Sequence, residues 1–150
     1  MPFLPTDPEF EARVRASFGR QRFMSTLGAS LASVAPGEVV IELGFHEGLT
    51  QQHGFLHAGV VTSAVDSACG YAALSLMPVG AAVLSVEFKV NLLAPAKGAR
   101  FRAIGRVVRA GRTLSVCAGE MRATGDDGET VIAVMQATMM TVQQRPGLSD

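Results

Sequence analysis

Asp66 stands inside a run from His57 to Met77 built mostly of Ala, Ser, Gly, Cys and Val, with no proline until Pro78. The length of that run reads as a buried helix rather than a strand. An ionised carboxylate in such a helix is costly unless it is hydrogen-bonded or has a task, although on composition alone an exposed face accounts for Asp66 equally well. The start of the run tips the balance. Gly54-Phe55-Leu56-His57-Ala58-Gly59 brings a glycine-flanked loop onto a helix N-terminus, where unpaired amides and the positive dipole end hold a developing oxyanion. A carboxylate and an oxyanion hole are the minimum apparatus of acyl hydrolysis. Nine residues separate His57 from Asp66, about 13 Å at the helical rise and too far for both to reach one carbonyl. A working site must therefore combine Asp66 of one copy with the helix start of another.

Other chemistries are less well served. There is no Gly-x-Ser-x-Gly nucleophile motif, and Cys69, one turn beyond Asp66, reads as packing. Neither Cys69 nor Cys117 belongs to a C-x-x-C pair or a histidine cluster, so no disulfide framework, metal centre or resident cofactor is expected. A reducing cytoplasm fits that usage. The opening MPFLPTDPEF has neither a basic start nor an unbroken apolar stretch. No later run approaches the roughly 18 apolar residues of a membrane helix, so a soluble protein is expected.

The formal net charge is zero, which argues against a general nucleic-acid binder. Eleven of the 13 basic residues are arginine, and Arg100, Arg102, Arg106, Arg109 and Arg112 crowd one short stretch. They form either the solvated face of a hairpin or an anion site, since a guanidinium fork suits phosphate better than an ammonium does.

The elements that must hold these residues follow from period and punctuation. The 150 residues fit one domain with a core that needs no metal or disulfide. Asp7-Pro8-Glu9 reads as an N-cap, a first-turn proline and a first-turn acid, and Phe10, Val14 and Phe18 recur at helical spacing. One helix is predicted from about 8 to 27, stopping at Gly28. Strands are expected over Ala29–Val34 and Glu38–Phe45, joined at Pro36-Gly37. Four longer ones follow the central helix, over Ala81–Leu93, Ala99–Arg109, Arg112–Thr124 and Glu129–Val142. Ala110-Gly111 and Gly125-Asp-Asp-Gly128 are hairpin turns, so these neighbours are antiparallel. The fold class is α+β: a curved antiparallel sheet wrapped around a central helix, with an extra N-terminal helix. The core occupies about 28–142, and the tail 143–150 is expected to be disordered. The last strand is apolar on both faces, Val131, Ala133 and Met135 against Ile132, Val134 and Met140. A sheet that covers a helix and still shows apolar residues needs a partner, which again predicts a homo-oligomer.

Gly54-x-x-His57-x-Gly59, Asp66 and the small residues to Ala73 are followed by Ser85-Val86-Glu87-Phe88-Lys89-Val90-Asn91 and Pro95-Ala96-Lys97-Gly98. Together they resemble the PaaI-like branch of the hotdog-fold acyl-CoA thioesterases, over about 27–142. The resemblance implies a hotdog fold, an acyl-CoA substrate and assembly as a dimer or a dimer of dimers. It implies that Asp66 is general base toward water or nucleophile, and that the Ala58 amide polarises the thioester oxygen. Ala58 stands where the family motif, His-Gly-Gly, has glycine, and alanine is less free in backbone conformation. Gln51 takes the place of a family Asn that positions water or the carbonyl. Ser85 matches a strand position that binds the attacking water, and an ordinary polar strand residue is the alternative. His57 is assigned an orienting role rather than a proton shuttle, with Gly59 beside it.

Coenzyme A carries several phosphate charges, which gives the arginines a purpose. Arg109 and Arg112 at the hairpin turn, with Lys97, are candidates to hold its nucleotide arm. Phe55, Val60, Tyr71 and Leu74 are candidate pocket walls, suited to an aryl or a short to medium acyl chain. Two other functions remain open at this level. One is hydration of an enoyl thioester, disfavoured because no HFPxxP-like loop surrounds the histidine. The other is a non-catalytic acyl-CoA binding module in the same cavity.

Overall fold

The computed structural model describes residues 2–150. Helix α1 (Phe10–Arg20) and the short α2 (Arg22–Thr26) precede strands β1 (Ser30–Ala35) and β2 (Glu38–Gly44). The central helix α3 (Ala58–Leu74) comes next, then β3 (Ala82–Leu92), β4 (Arg100–Arg109), β5 (Leu114–Gly125) and β6 (Gly128–Val142). All six strands form one antiparallel sheet in the order β1-β2-β4-β5-β6-β3, with α3 packed on it. This is the hotdog arrangement that the resemblance implied.

Small residues let the sheet approach α3 closely. Gly105 of β4 and Gly119 of β5 are register partners beneath the helix. A Cβ at Gly105 would lie 2.3 Å from the Ala68 carbonyl carbon, and one at Gly119 would lie 2.5 Å from Val65 Cγ1. Those distances are far inside van der Waals contact, so the two glycines form a notch that fixes how deep α3 sits. From Ser67 to Leu74 every residue of α3 is buried. In its first half Gly59, Thr62, Ser63 and Asp66 keep some exposure, a single stripe at three- and four-residue spacing. Asp66 is therefore the last accessible position before the helix sinks into the core.

The far end of α3 is tied down by polar groups. Arg13 donates to the carbonyls of Leu74, Met77 and Pro78 at 2.9, 2.7 and 2.6 Å, which satisfies the last turn as a cation at a helix C-terminus does. Ser75, fully buried, accepts from the Gly37 N–H at 2.8 Å and donates to the Ala72 carbonyl at 2.6 Å. That pair joins the β1–β2 turn to the helix.

Two expectations need correction. The single helix expected over 8–27 is two helices, broken at Gln21, whose backbone is extended (φ −78°, ψ 93°). The Gln21 N–H closes α1 on the Phe18 carbonyl at 3.0 Å, and its side chain turns inward to reach Ser67 Oγ of α3 at 3.3 Å. That long-range contact is absent from local helix propensity. The start also lies two residues later than expected, at Phe10 with Glu9 as N-cap; Asp7 Oδ1 instead closes the turn before it, accepting from the Glu9 N–H at 2.9 Å, while the C-terminal stop is where it was expected. At Gly28 (φ +69°) the N–H groups of Gly28 and Ala29 return to the Ser25 and Met24 carbonyls, a Schellman closure.

The second correction concerns 143–150, expected to be disordered. Pro146 and Gly147 (φ +79°) occupy the middle of a turn closed by the Leu148 N–H on the Arg145 carbonyl at 3.0 Å, as proline followed by left-handed glycine favours. The turn carries Asp150 back onto the body. There its carboxylate accepts from Ser17 Oγ and from the Val83 N–H, both at 2.9 Å.

Candidate active site

Asp66 lines a cavity of about 400 Å³ together with Ser67, Gly70 and Tyr71 of α3 and Ser85 of β3. Ser85 Oγ donates to Asp66 Oδ1 at 2.8 Å. A bulge between Ser85 and Glu87 shapes this corner, because one extra residue reverses the side-chain alternation of a strand. Ser85 stays on the helix side, opposite the fully buried Met139. Glu87 is turned to the outer side, where Thr138 Oγ1 donates to it. A regular strand would have aimed Glu87 inward, on the same face as Ser85 and Asp66. Burial pushes the Asp66 carboxyl above its ordinary value, and the Ser85 hydrogen bond partly offsets this. A carboxylate so placed is a stronger base than a solvated one.

The start of α3 opens on a second cavity. Gln51, Phe55, His57 and Ala58 line it from one side, Leu92, Pro95 and Ile132 from the other. His57 is the N-cap of α3, and its Nδ1 accepts from the Gly59 N–H at 2.8 Å. The Val60 N–H goes to the His57 carbonyl at 2.9 Å, and the His57 N–H goes to the Leu49 carbonyl at 2.9 Å. The Ala58 N–H makes no hydrogen bond among the described residues, so it is the helix-start donor left over for a ligand. The Gly59 amide is occupied by the cap. Gln51 is held by a tight loop in which its Oε1 accepts from the His53 N–H and its backbone pairs with Phe55. Its side-chain NH₂ remains as a donor.

The positions singled out in the sequence are thus divided. Asp66, Ser85 and Tyr71 share one cavity; Gln51, Phe55, His57 and Ala58 share the other. Val60 and Leu74 are buried in the core. Lys97 lines a third depression, beside Arg100, Asp126 and Asp127. Arg109 ends the ten-residue β4 and Arg112 follows it, whereas Lys97 precedes the strand. At about 3.3 Å per residue that strand is roughly 30 Å long, so within one chain Lys97 does not share a site with Arg109 and Arg112.

The other arginines of the crowded stretch, Arg100, Arg102 and Arg106, are accounted for by ion pairs on the outer sheet face. Arg100 and Arg102 reach Glu42, Arg102 and Arg122 reach Glu129, and Arg106 reaches Glu38 and Glu120. Arg109 and Arg112 make no ion pair among the described residues. Cys69 and Cys117 are free and buried, and burial pushes the Cys117 thiol up to about 12, so both are inert packing groups. Among the described residues no His, Cys, Asp and Glu cluster could hold a metal ion, and no helix is long and apolar enough to cross a membrane.

Sequence reasoning missed Ser17, Gln21 and Asp150, which line the Asp66 cavity from outside the core. Nothing local marks them: Gln21 lay inside a predicted helix and Asp150 in a predicted disordered tail.

The thioesterase superfamily model matches residues 53–130. A thioesterase family protein of Silicibacter pomeroyi of known crystal structure is 51% identical, with a TM-score of 0.88 over 89% of this chain and 98% of that one. Human acyl-coenzyme A thioesterase 13 is 31% identical over 116 residues, 75% of this chain and 82% of that protein. A Halobacterium salinarum protein whose name carries a provisional esterase assignment is 35% identical over 98 residues, 62% of this chain. This chain spans 64% of the length of that relative. The Escherichia coli PaaI protein from the phenylacetic acid degradation operon shares the fold, at 18% identity, a TM-score of 0.80 and coverage of 94% of this chain and 96% of that one. Because the family match covers more than half of the chain and runs through both the amide at Ala58 and the acid at Asp66, the chain belongs to the thioesterase superfamily.

Proposed function

We propose that this protein hydrolyses an acyl-CoA thioester to the free acid and coenzyme A, in a site shared between two copies of the chain. The observation that carries the reading is the pairing of a half-buried, Ser85-bonded Asp66 with an unengaged Ala58 amide at a helix N-terminus. In the general-base form, Asp66 takes a proton from water as the water oxygen bonds to the thioester carbon. Negative charge develops on the carbonyl oxygen, where the Ala58 N–H and the helix dipole meet it. The tetrahedral intermediate then expels the coenzyme A sulfur, which leaves as the thiol with the proton that Asp66 returns. In the nucleophilic form the Asp66 carboxylate bonds to the thioester carbon and the C–S bond breaks to release coenzyme A thiolate; water then hydrolyses the mixed anhydride to the free acid and the Asp66 carboxylate, and the proton released goes to the thiolate. Ser85 and Gln51 are the groups that orient water and carbonyl, His57 fixes the helix start, and Arg109 and Arg112, which make no ion pair among the described residues, are cations available to the nucleotide phosphates.

Sharing between copies follows from the helix itself. Ala58 and Asp66 are eight residues apart on α3, about 12 Å along a rigid axis, so one thioester cannot touch both in one chain. The edge strand β3 supports a second copy. One side of its backbone has no strand neighbour, and Leu84, Val86, Phe88 and Leu92 are exposed along it, a combination that in a lone chain invites aggregation. A dimer through this edge, or a dimer of dimers, is the assembly we infer.

The test is a thiol-release assay across aryl and short to medium acyl-CoAs with the wild type and Asp66→Asn. Turnover by the wild type and a loss of about a thousandfold or more in the variant are expected for removal of a catalytic base. Retained activity would remove the mechanism. Tight acyl-CoA binding without turnover would favour a binding module instead, and hydration of an enoyl-CoA would favour a hydratase.

A further inference from the structure

The cavity beside Asp66 is crossed at both ends by polar contacts between α3 and β3. At one end Ser85 Oγ donates to Asp66 Oδ1 at 2.8 Å. At the other the link runs through two further segments. Ser17 Oγ of α1 lies 3.4 Å from the Tyr71 hydroxyl and donates to Asp150 Oδ1 at 2.9 Å, while Asp150 Oδ2 accepts from the Val83 N–H, also at 2.9 Å. Asp66 and Tyr71 are five residues apart on α3, about 7.5 Å of helix. Ser85 and Val83 are two residues apart on β3, about 6.6 Å of strand. Between the two crossings Gly70 leaves open space, since a Cβ there would meet nothing within 4 Å.

The far crossing depends on the segment 145–150. The turn at Pro146-Gly147 lays it against the start of β3, where the Asp150 N–H donates to the Ala81 carbonyl at 3.3 Å. This edge of β3 has no strand neighbour, so Asp150 takes up both a carbonyl and an N–H that the sheet leaves open. Leu148 and Asp150 are half-buried whereas Gly147 and Ser149 are exposed, the alternation of an extended segment with one side turned inward. All four line the cavity. The polar groups of the far crossing are engaged with one another, so they act as an end wall and not as partners for a ligand.

We propose that the segment 145–150 is a strap that closes the far end of the acyl chamber, latched by Asp150, and that it limits the substrates to short acyl chains. The proposal rests on the acyl-CoA hydrolase reading and names its substrate class. A thioester carbon beside Asp66 has about 7.5 Å of α3 before it reaches Tyr71, the extended length of a hexanoyl group. A longer chain must stay in water or displace Asp150, which leaves the Ser17 hydroxyl and the Val83 N–H unpaired beside hydrocarbon.

The experiment measures kcat/KM for butanoyl-, hexanoyl-, decanoyl- and benzoyl-CoA in the wild type and in Asp150→Ala. In the wild type the value should rise about tenfold from butanoyl to hexanoyl, since each buried methylene contributes up to about fourfold, and then fall at decanoyl. Asp150→Ala should raise the decanoyl-to-hexanoyl ratio by about tenfold or more. Ser17→Ala, which removes the other half of the latch, should move the ratio the same way, and it stands in if the first variant does not fold. A wild type that accepts decanoyl as well as hexanoyl, turnover of benzoyl-CoA alone, or a ratio unchanged in both variants would overturn the proposal while leaving hydrolysis intact. If the wild type turns over none of the four, the hydrolase reading fails. The strap is then judged by calorimetric binding of the butyl, hexyl and decyl thioethers of coenzyme A. Affinity that stops rising at hexyl in the wild type and continues to decyl in Asp150→Ala sustains the proposal; the same dependence in both proteins, or no binding, overturns it.

Discussion

Ser85 Oγ lies 2.8 Å from Asp66 Oδ1, and the two neighbours of this carboxyl act against each other. Burial raises its pKa, and the serine hydrogen bond lowers it by favouring the charged form. As a base or nucleophile Asp66 works ionised, so kcat/KM should fall as pH drops through its pKa. The acid limb should therefore lie above the ordinary aspartate value of 3.8. Ser85→Ala removes the favourable bond and should move that limb further up, besides lowering kcat. A pH–rate profile of both proteins checks this, and a downward shift in the variant would contradict the assignment.

The same raised pKa predicts a stability effect of opposite sense to the activity. A carboxyl with a folded-state pKa above its unfolded value favours folding in the protonated form. Its contribution is complete below the unfolded pKa and is lost as pH rises through the folded one. At pH 7 the wild type therefore carries a destabilising ionised Asp66, which Asp66→Asn removes. The variant should melt at a higher temperature than the wild type at pH 7, with the gap shrinking toward pH 4, as calorimetry at several pH values would show.

Gly105 sits against the α3 backbone, where a Cβ would be 2.3 Å from the Ala68 carbonyl carbon. Backbone cannot rotate aside as a side-chain end can, so Gly105→Ala should push α3 off the sheet. A loss of about 3 kcal/mol is expected, the upper end for overpacking, and activity should fall because Asp66 moves with the helix. Denaturant titration measures the first and the thiol-release assay the second.

Gly70 gives the reverse case. It lies inside α3 with negative φ and open space where a Cβ would go, so Gly70→Ala should stabilise the helix by up to about 1 kcal/mol, a rise of roughly 2–4 °C in Tm. The added methyl projects into the Asp66 cavity, so KM should rise most for the bulkiest acyl groups. Unchanged selectivity together with the higher Tm would mean that acyl groups do not pass along this face of α3.

Periodicity and turn chemistry were enough to place every strand and the central helix to within a few residues, because side-chain alternation, Pro36-Gly37, Gly28 and the hairpin glycines act locally. The two halves of the candidate site were legible for the same reason. An acid in a small-residue helix and a loop leading onto that helix are local features, and helical rise alone separates them. The strand expected over Ala99–Arg109 likewise already sets Lys97 far from Arg109 and Arg112. Three things needed the tertiary structure. Gln21 breaks the first helix to bond Ser67, and Asp150 returns from a segment that composition reads as disordered. The bulge after Ser85 turns Glu87 away from Asp66. Each depends on contacts between residues distant in sequence, whose energies outweigh the local preference of the chain and leave no mark in its spacing.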